Sequence, residues 1–176
     1  MRKRKDRIRN KCIFLLCLYY GFERSTIMKL TFDNIQKDKL IVEERELLIP
    51  SKLLRLLDDL KQENAQKKVK GNHLFNLKYK KQFSPISEGQ VNYVFDILSG
   101  IDKDDPNWKS LNPTSIRTYL IKQLFINNYP IEEILYLTGA DLTSISKILT
   151  FDEIVEHVKL RGKKVSKAHP FEKKLF

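Results

Sequence analysis

Apolar positions along this chain come in short blocks whose spacing changes from helical to alternating and back again. The first block, CIFLLCLYYGF, follows a basic start and predicts a helix over residues 8–20, with Gly21 placed to stop it. Ser25 is positioned to cap a short helix, STIMKL. The texture then shortens: LTFDNIQKDKLIVEERELLIP predicts three strands, around Thr31–Ile35, Lys39–Val42 and Leu47–Ile49, with QKD and EERE as the turns.

Helical spacing returns at Pro50 and Ser51. Leu53, Leu54, Leu56, Leu57 and Leu60 form one apolar face, which fades in the polar QENAQKK. In SEGQVNYVFDILSG, Ser87 and Gln90 have capping-box spacing, Val91, Val94, Phe95 and Leu98 make a stripe to bury, and Gly100 ends the helix. After a polar loop, Asn112-Pro113 starts a helix that stops before Tyr129-Pro130, followed by PIEEILYLTG, DLTSISKIL and FDEIVEHV as shorter helices. This order predicts an α+β, mostly α fold: one helix, a small three-stranded antiparallel sheet near the N-terminal side, then a helical bundle.

Composition bounds the picture. The 176 residues suffice for one domain that buries about two thirds of its unfolded surface. With 33 Lys plus Arg against 22 Asp plus Glu and only two cysteines, the composition excludes multi-span membrane proteins, collagen-like repeats and disulfide scaffolds. The net charge of +11 is unevenly placed. Residues 2–11 carry seven positive charges and one negative, residues 158–176 carry the same, and the body between them is close to neutral. The expected organisation is therefore a basic arm over 1–11, a body over 12–157 and a basic tail over 158–176.

One internal stretch breaks the balance. Between Gln66 and Gln82 stand Lys67, Lys68, Lys70, Lys78, Lys80 and Lys81, with no acid among them. Such a cluster attracts polyanions, because each lysine that meets a phosphate releases counterion; the bland alternative is a merely solvated surface.

Cys12 and Cys17, five apart, point to different helix faces and lack a His or Cys neighbour for a metal site, which predicts reduced core residues of an intracellular, cytoplasmic protein. The basic start and apolar run imitate a secretion signal, but the bulky, charged Phe22, Glu23 and Arg24 follow instead of a small-residue cleavage site. About ten apolar residues are also too few to span a bilayer, so a core helix and no membrane partner are expected.

Little in the chain reads as catalytic on its own. It has no glycine-rich phosphate loop, HExxH, CxxC or GxSxG. The spacing of Glu153 and His157, one helical turn, suits a surface contact better than a ligand set, and Asp104 and Asp105 read as loop solvation; no metal or cofactor is implied. Arg117 is of more interest, since it sits near a helix start where a guanidinium can grip a phosphate; pairing with a surface acid is the alternative.

Taken together, the motifs resemble the tyrosine recombinase, or phage integrase, family. LNPTSIRTYLIKQLFINNYPIEEILYLTGADLTSISKIL is similar to the family's C-terminal signature, which runs Pro-His-Asp-Leu-Arg, an amphipathic helix, a helix ending in Leu-Gly-His, and a tyrosine about nine residues on. CIFLLCLYYGFERSTIMKLTFDNI resembles its hydrophobic helix, Thr-Gly-Leu-Arg turn and Leu-x-Trp-x-Asp-Ile strand. The hairpin, IPSKL, HLF and SPISEGQVNYVF follow in the family's order, so that the resemblance covers about residues 12–150.

The resemblance implies the family's catalytic-domain fold and double-stranded DNA as partner, without the N-terminal clamp domain. Its chemistry is strand exchange through a phosphotyrosyl intermediate, and here the matched positions have changed. Arg117 is retained; Glu23 takes the first arginine's place with Arg24 beside it, Thr114 and Ala140 replace histidines, and Leu149 replaces the nucleophile. No tyrosine follows Tyr136, and in EERE only Arg45 is basic where the family has a hairpin lysine. A carboxylate in place of an arginine repels a phosphate by about 4 kcal/mol at 4 Å and an effective dielectric of 20, and leucine cannot form a phosphodiester.

The expectation is a DNA-binding recombinase-like protein without cleavage, acting as a mobile-element regulator or integrase remnant, with contacts from Lys67, Lys68, Lys70, Lys78, Lys80, Lys81, Arg24, Arg45 and Arg117. Two alternatives remain open: an active recombinase using another or a partner-supplied nucleophile, and an assembly module docking on itself or another recombinase through LTFDEIVEHVKL, with Leu149, Ile154 and Val158 spaced for a helix.

Overall fold

A computed structural model describes residues 7–100, 105–106 and 111–159. Most of the basic arm and all of the tail beyond 159 therefore lie outside the described residues, as do Asp104 and the side chains of His157 and Val158. Contacts divide the chain into two compact units, Met1–Leu16 with Glu23–Asn112, and Cys17–Phe22 with Pro113–Phe176.

The first unit begins in α1 (Arg7–Tyr20), whose last turn belongs to the second. The helix starts within the expected basic arm because Arg9 is a structural residue. Arg9 is buried, donating from Nη1 to the Asn76 carbonyl at 3.2 Å and from Nε and Nη2 to the Asn10 side chain. Next comes α2 (Arg24–Lys29), with Glu23 rather than Ser25 at its N-cap and no side-chain cap bond.

Strands β1 (Ile35–Gln36), β2 (Lys39–Val42) and β3 (Arg45–Leu48) form the predicted antiparallel sheet in the order β1-β2-β3. Leu40 pairs with Leu47, and these two and Val42 face the core, while Lys39 and Glu46 bond across the outer face at 2.6 Å. Two predicted boundaries move. The first strand is preceded by a single tight turn over Phe32–Asn34, because the Asn34 side chain accepts from the Thr31 N–H and hydroxyl at 2.7 and 2.9 Å. The second turn is only Glu43-Glu44, both at positive φ, so Arg45 and Glu46 lie in β3.

Helix α3 (Ser51–Gln66) buries Leu53, Leu57 and Leu60 and continues through the polar segment where its apolar face was expected to fade. The lysine-rich stretch then holds a second sheet absent from the prediction: β4 (Asn76–Tyr79) and β5 (Gln82–Pro85), an antiparallel hairpin. Helix α4 (Glu88–Ser99) has Ser87 as N-cap, but the expected capping box is not made; the Ser87 carbonyl accepts from the Gln90 N–H instead. Val91, Val94 and Phe95 are buried as predicted and Leu98 is half-buried, with the Phe95 ring 6.4 Å from that of Phe14.

The second unit holds α5 (Pro113–Ile126), α6 (Ile131–Thr138), α7 (Leu142–Ser146) and α8 (Phe151–Lys159). Its core gathers Cys17, Tyr19, Tyr20 and Phe22 with Ile116, Leu120, Ile121, Leu124, Ile134, Ile145 and Leu149. Proline sits at the first position of α5, as read, and Gly139 ends α6 at φ 62, the left-handed stop that glycine adopts without penalty. Asp141 caps α7 by accepting from the Ser144 N–H at 2.6 Å. The mostly α, α+β architecture is present as predicted.

Candidate nucleic-acid interface

In the second unit Arg117 is the fifth residue of α5, one turn inside the helix rather than among its terminal N–H groups. It is half-buried, and its Nη1 donates to the Gly21 carbonyl at 3.3 Å. The Gly21 carbonyl is thus one partner of this guanidinium. Gly21 directly ends α1, with its N–H on the Cys17 carbonyl at 2.8 Å and φ at 63.

The other matched positions of this unit carry no imidazole and no phenol. Thr114 is exposed in the first turn of α5. Ala140 is buried, and its N–H donates to the Thr138 hydroxyl at 3.3 Å, which in turn donates to the Ile134 carbonyl at 2.7 Å. Leu149 is 4% exposed, a core residue. Of the segment weighed as a docking helix, Leu149 is thus packed within its own chain, and Ile154 is half-buried. Tyr119 and Tyr136 are exposed on α5 and α6.

Several of the basic candidates of the first unit are occupied. Arg24 donates to the Asn92 side chain at 3.2 Å and lies 4.0 Å from Glu88, which ties α2 to α4. Arg45 is only 12% exposed at its side chain and bonds Glu43 at 3.2 Å across the two-residue turn. Lys67, at the C-cap of α3, pairs with Glu63 one turn earlier. Glu23 is exposed at the N-cap of α2.

The remaining lysines fall into two places. Lys68 and Lys70 are exposed on the turn after α3, and Lys78, Lys80 and Lys81 are exposed on the β4–β5 hairpin. The hairpin is held at its base and open at its tip. At the base, Asn76 accepts from Arg9 through its carbonyl and donates from Nδ2 to the His73 carbonyl at 2.7 Å, and the Ile86 N–H donates to Phe75. Toward the tip, Lys78, Tyr79, Lys80, Lys81 and Gln82 are all exposed, and Lys80 turns the chain at φ 53. The alternation of Leu77, Tyr79 and Phe83 about two lysines was the available signal, but a Lys-Lys turn lacks the Gly or Asn that marks a hairpin.

Chemistry elsewhere is sparse. A cavity of about 310 Å³ between α1 and α3 has Phe14, Leu15 and Leu56 on its wall and Lys11, Lys52, Arg55 and Asp59 as its charged groups, with no His, Ser or Tyr nucleophile. Among the described residues no cluster of three or more His, Cys, Asp or Glu could hold a metal, and no helix is long and apolar enough to cross a membrane. Burial pushes the Cys12 and Cys17 thiols up to about 12, which leaves them protonated and unreactive near neutral pH.

The fold resembles that in the crystal structure of XerA recombinase, with a TM-score of 0.64 and 11% identity over 89% of this chain and 59% of that one. The chain thus spans about three fifths of that recombinase's length. No protein-family model and no curated protein matches the sequence.

Proposed function

We propose that this protein holds the backbone of double-stranded DNA in the manner of a tyrosine recombinase domain but does not cut it, and acts as a regulator or remnant within a mobile element. The observation that carries the reading is the acid-free β4–β5 hairpin with Lys78, Lys80 and Lys81 exposed on a recombinase-like fold. Phosphate contacts of this kind position a protein on DNA without specifying sequence. Lys68 and Lys70 add to the same charge, whereas Lys67, Arg24 and Arg45 contribute less because Glu63, Asn92 with Glu88, and Glu43 already engage them.

The loss of cleavage rests on position 149. A leucine there supplies no oxygen to attack phosphorus, and its burial leaves no room for a reacting phosphate. A gel shift on duplex DNA across a salt series tests the binding; a dissociation constant that ignores salt, or no complex at low salt, refutes it. Exposed Tyr119 and Tyr136 favour the alternative of a displaced nucleophile enough to require a second assay. Incubation with a nicked suicide substrate is expected to leave the protein unmodified, and a covalent adduct would make it an enzyme.

A further inference from the structure

Three lysines account for phosphate binding by the β4–β5 hairpin, but they leave Tyr79 unexplained. The residue is 69% exposed, and its cross-strand partner is Gln82, so the ring rests on no apolar neighbour across the strand. The opposite hairpin face is different: Phe83, paired with Lys78, is half-buried, with the Lys78 ammonium 5.6 Å from its ring centre. On the Tyr79 side the Lys80 ammonium stands 5.6 Å from the ring centre. An aromatic ring is thus presented to solvent at the tip of a basic ribbon, where it adds little to the burial that stabilises the fold.

We propose that Tyr79 stacks on an unpaired nucleobase while Lys78, Lys80 and Lys81 hold the neighbouring phosphates, so that the hairpin favours DNA with opened positions over closed duplex. The inference rests on the DNA-binding reading above and deepens it. In a closed duplex both faces of every base are covered by its neighbours, and an incoming ring has nothing to stack on. A base that has lost its partner exposes a π-face, and aromatic side chains beside cationic grooves are the usual receptors for it. An acidic peptide would satisfy the lysines but gives the tyrosine ring no partner, so the observations favour nucleic acid.

The test uses the full chain and two labelled duplexes of equal length, one interrupted by a short single-stranded gap. Wild type is expected to bind the gapped form more tightly by about 5- to 150-fold, the range of one aromatic–base stack. Tyr79→Ala should bring the two affinities together, Tyr79→Phe should keep the preference, and the Lys80→Ala/Lys81→Ala variant should weaken both duplexes alike while leaving their ratio. Equal binding of both duplexes by wild type, or a gap preference that survives Tyr79→Ala, overturns the stacking role and leaves backbone binding standing. Absence of binding to either at low salt overturns both readings.

Discussion

The Arg117 side chain closes over Gly21: its Nη1 donates to the glycine carbonyl at 3.3 Å, and its Cγ lies 3.1 Å from where a Cβ on Gly21 would stand. Gly21 is also at φ 63, so the contact and the backbone conformation both demand glycine. Gly21→Ala is expected to destabilise the protein by about 1–2 kcal/mol from the backbone alone, with the contact adding to it. Urea denaturation of Gly21→Ala, Arg117→Ala and the double variant checks this. The two losses should be less than additive, because removing the arginine removes the clash; strict additivity would mean the side chain simply moves aside.

The β2–β3 turn is strained in a way that a substitution can relieve. Glu43 and Glu44 stand at φ 51 and 65, a pair of left-handed residues that Asn-Gly adopts far more readily. Replacing them with Asn-Gly should stabilise the fold by about 1–2 kcal/mol in denaturant titrations. An unchanged midpoint would show that the Arg45–Glu43 bond offsets the strain.

Lysines on the hairpin should act on binding additively and through salt. Each of Lys78→Ala, Lys80→Ala and Lys81→Ala that removes a phosphate contact should lower the slope of log K against log salt by about 0.9. The corresponding change at Lys67, which Glu63 pairs, should move the slope less. Equal effects at all four positions would mean that the Glu63 pair opens on binding.

Alkaline pH should weaken the fold through its buried thiols. Cys12 and Cys17 ionise at about 12 in the native state, raised by burial and, for Cys12, by Asp59 and Glu63. In the unfolded chain they lose protons near the ordinary thiol value of 9.0, so native stability is full below that pH and declines as pH rises from there toward about 12. Burial raises Tyr20 in the same direction. Comparing denaturation midpoints at neutral and alkaline pH, a Cys12→Ala/Cys17→Ala variant should lose less than wild type; a parallel fall in both would assign the loss to other groups.

At the acid end, two helix-start carboxylates of the second unit titrate with the opposite sign. Hydrogen bonds from the Ser144 side chain and N–H hold the Asp141 carboxyl below its ordinary range, and those from the Thr150 N–H and hydroxyl do the same for Glu153. Their contribution is present above the unfolded value near 4 and fades as pH falls through the lowered native value. Asp141→Asn keeps a cap acceptor but cannot titrate, so its thermal midpoint should fall less than that of wild type between mildly and strongly acidic solution. An identical fall would show that the Asp141 cap carries none of the acid sensitivity.

What the sequence reveals follows from how local each signal is. Helix starts and stops at Gly21, Pro113 and Gly139, and strand β2, are written in adjacent residues and stand where they were predicted, while β3 begins two residues early because Glu43-Glu44 alone makes the turn. The β4–β5 hairpin escaped because its turn is Lys-Lys, and the Ser87 capping box failed because the Gln90 backbone found the Ser87 carbonyl instead. At the candidate interface, the exposure of Lys78, Lys80 and Lys81 agrees with their run of charge. The occupation of Arg45, Arg24 and Lys67 depends on partners supplied by a turn, another helix and a helix end, and charge counting weighs all lysines and arginines alike.

On the reading proposed above, in which Leu149 takes the nucleophile's place, its interior position decides how a tyrosine could be restored there. An exposed lost nucleophile could return by one substitution, but a tyrosine at this position would have to fit a larger ring into packed surroundings and find a partner for its hydroxyl. Reversion must therefore pass through variants that loosen this part of the second unit before any of them cuts DNA. Selection for stability opposes each such step, so on the proposed reading the packing around Leu149 keeps the chain from strand exchange as firmly as the missing hydroxyl does.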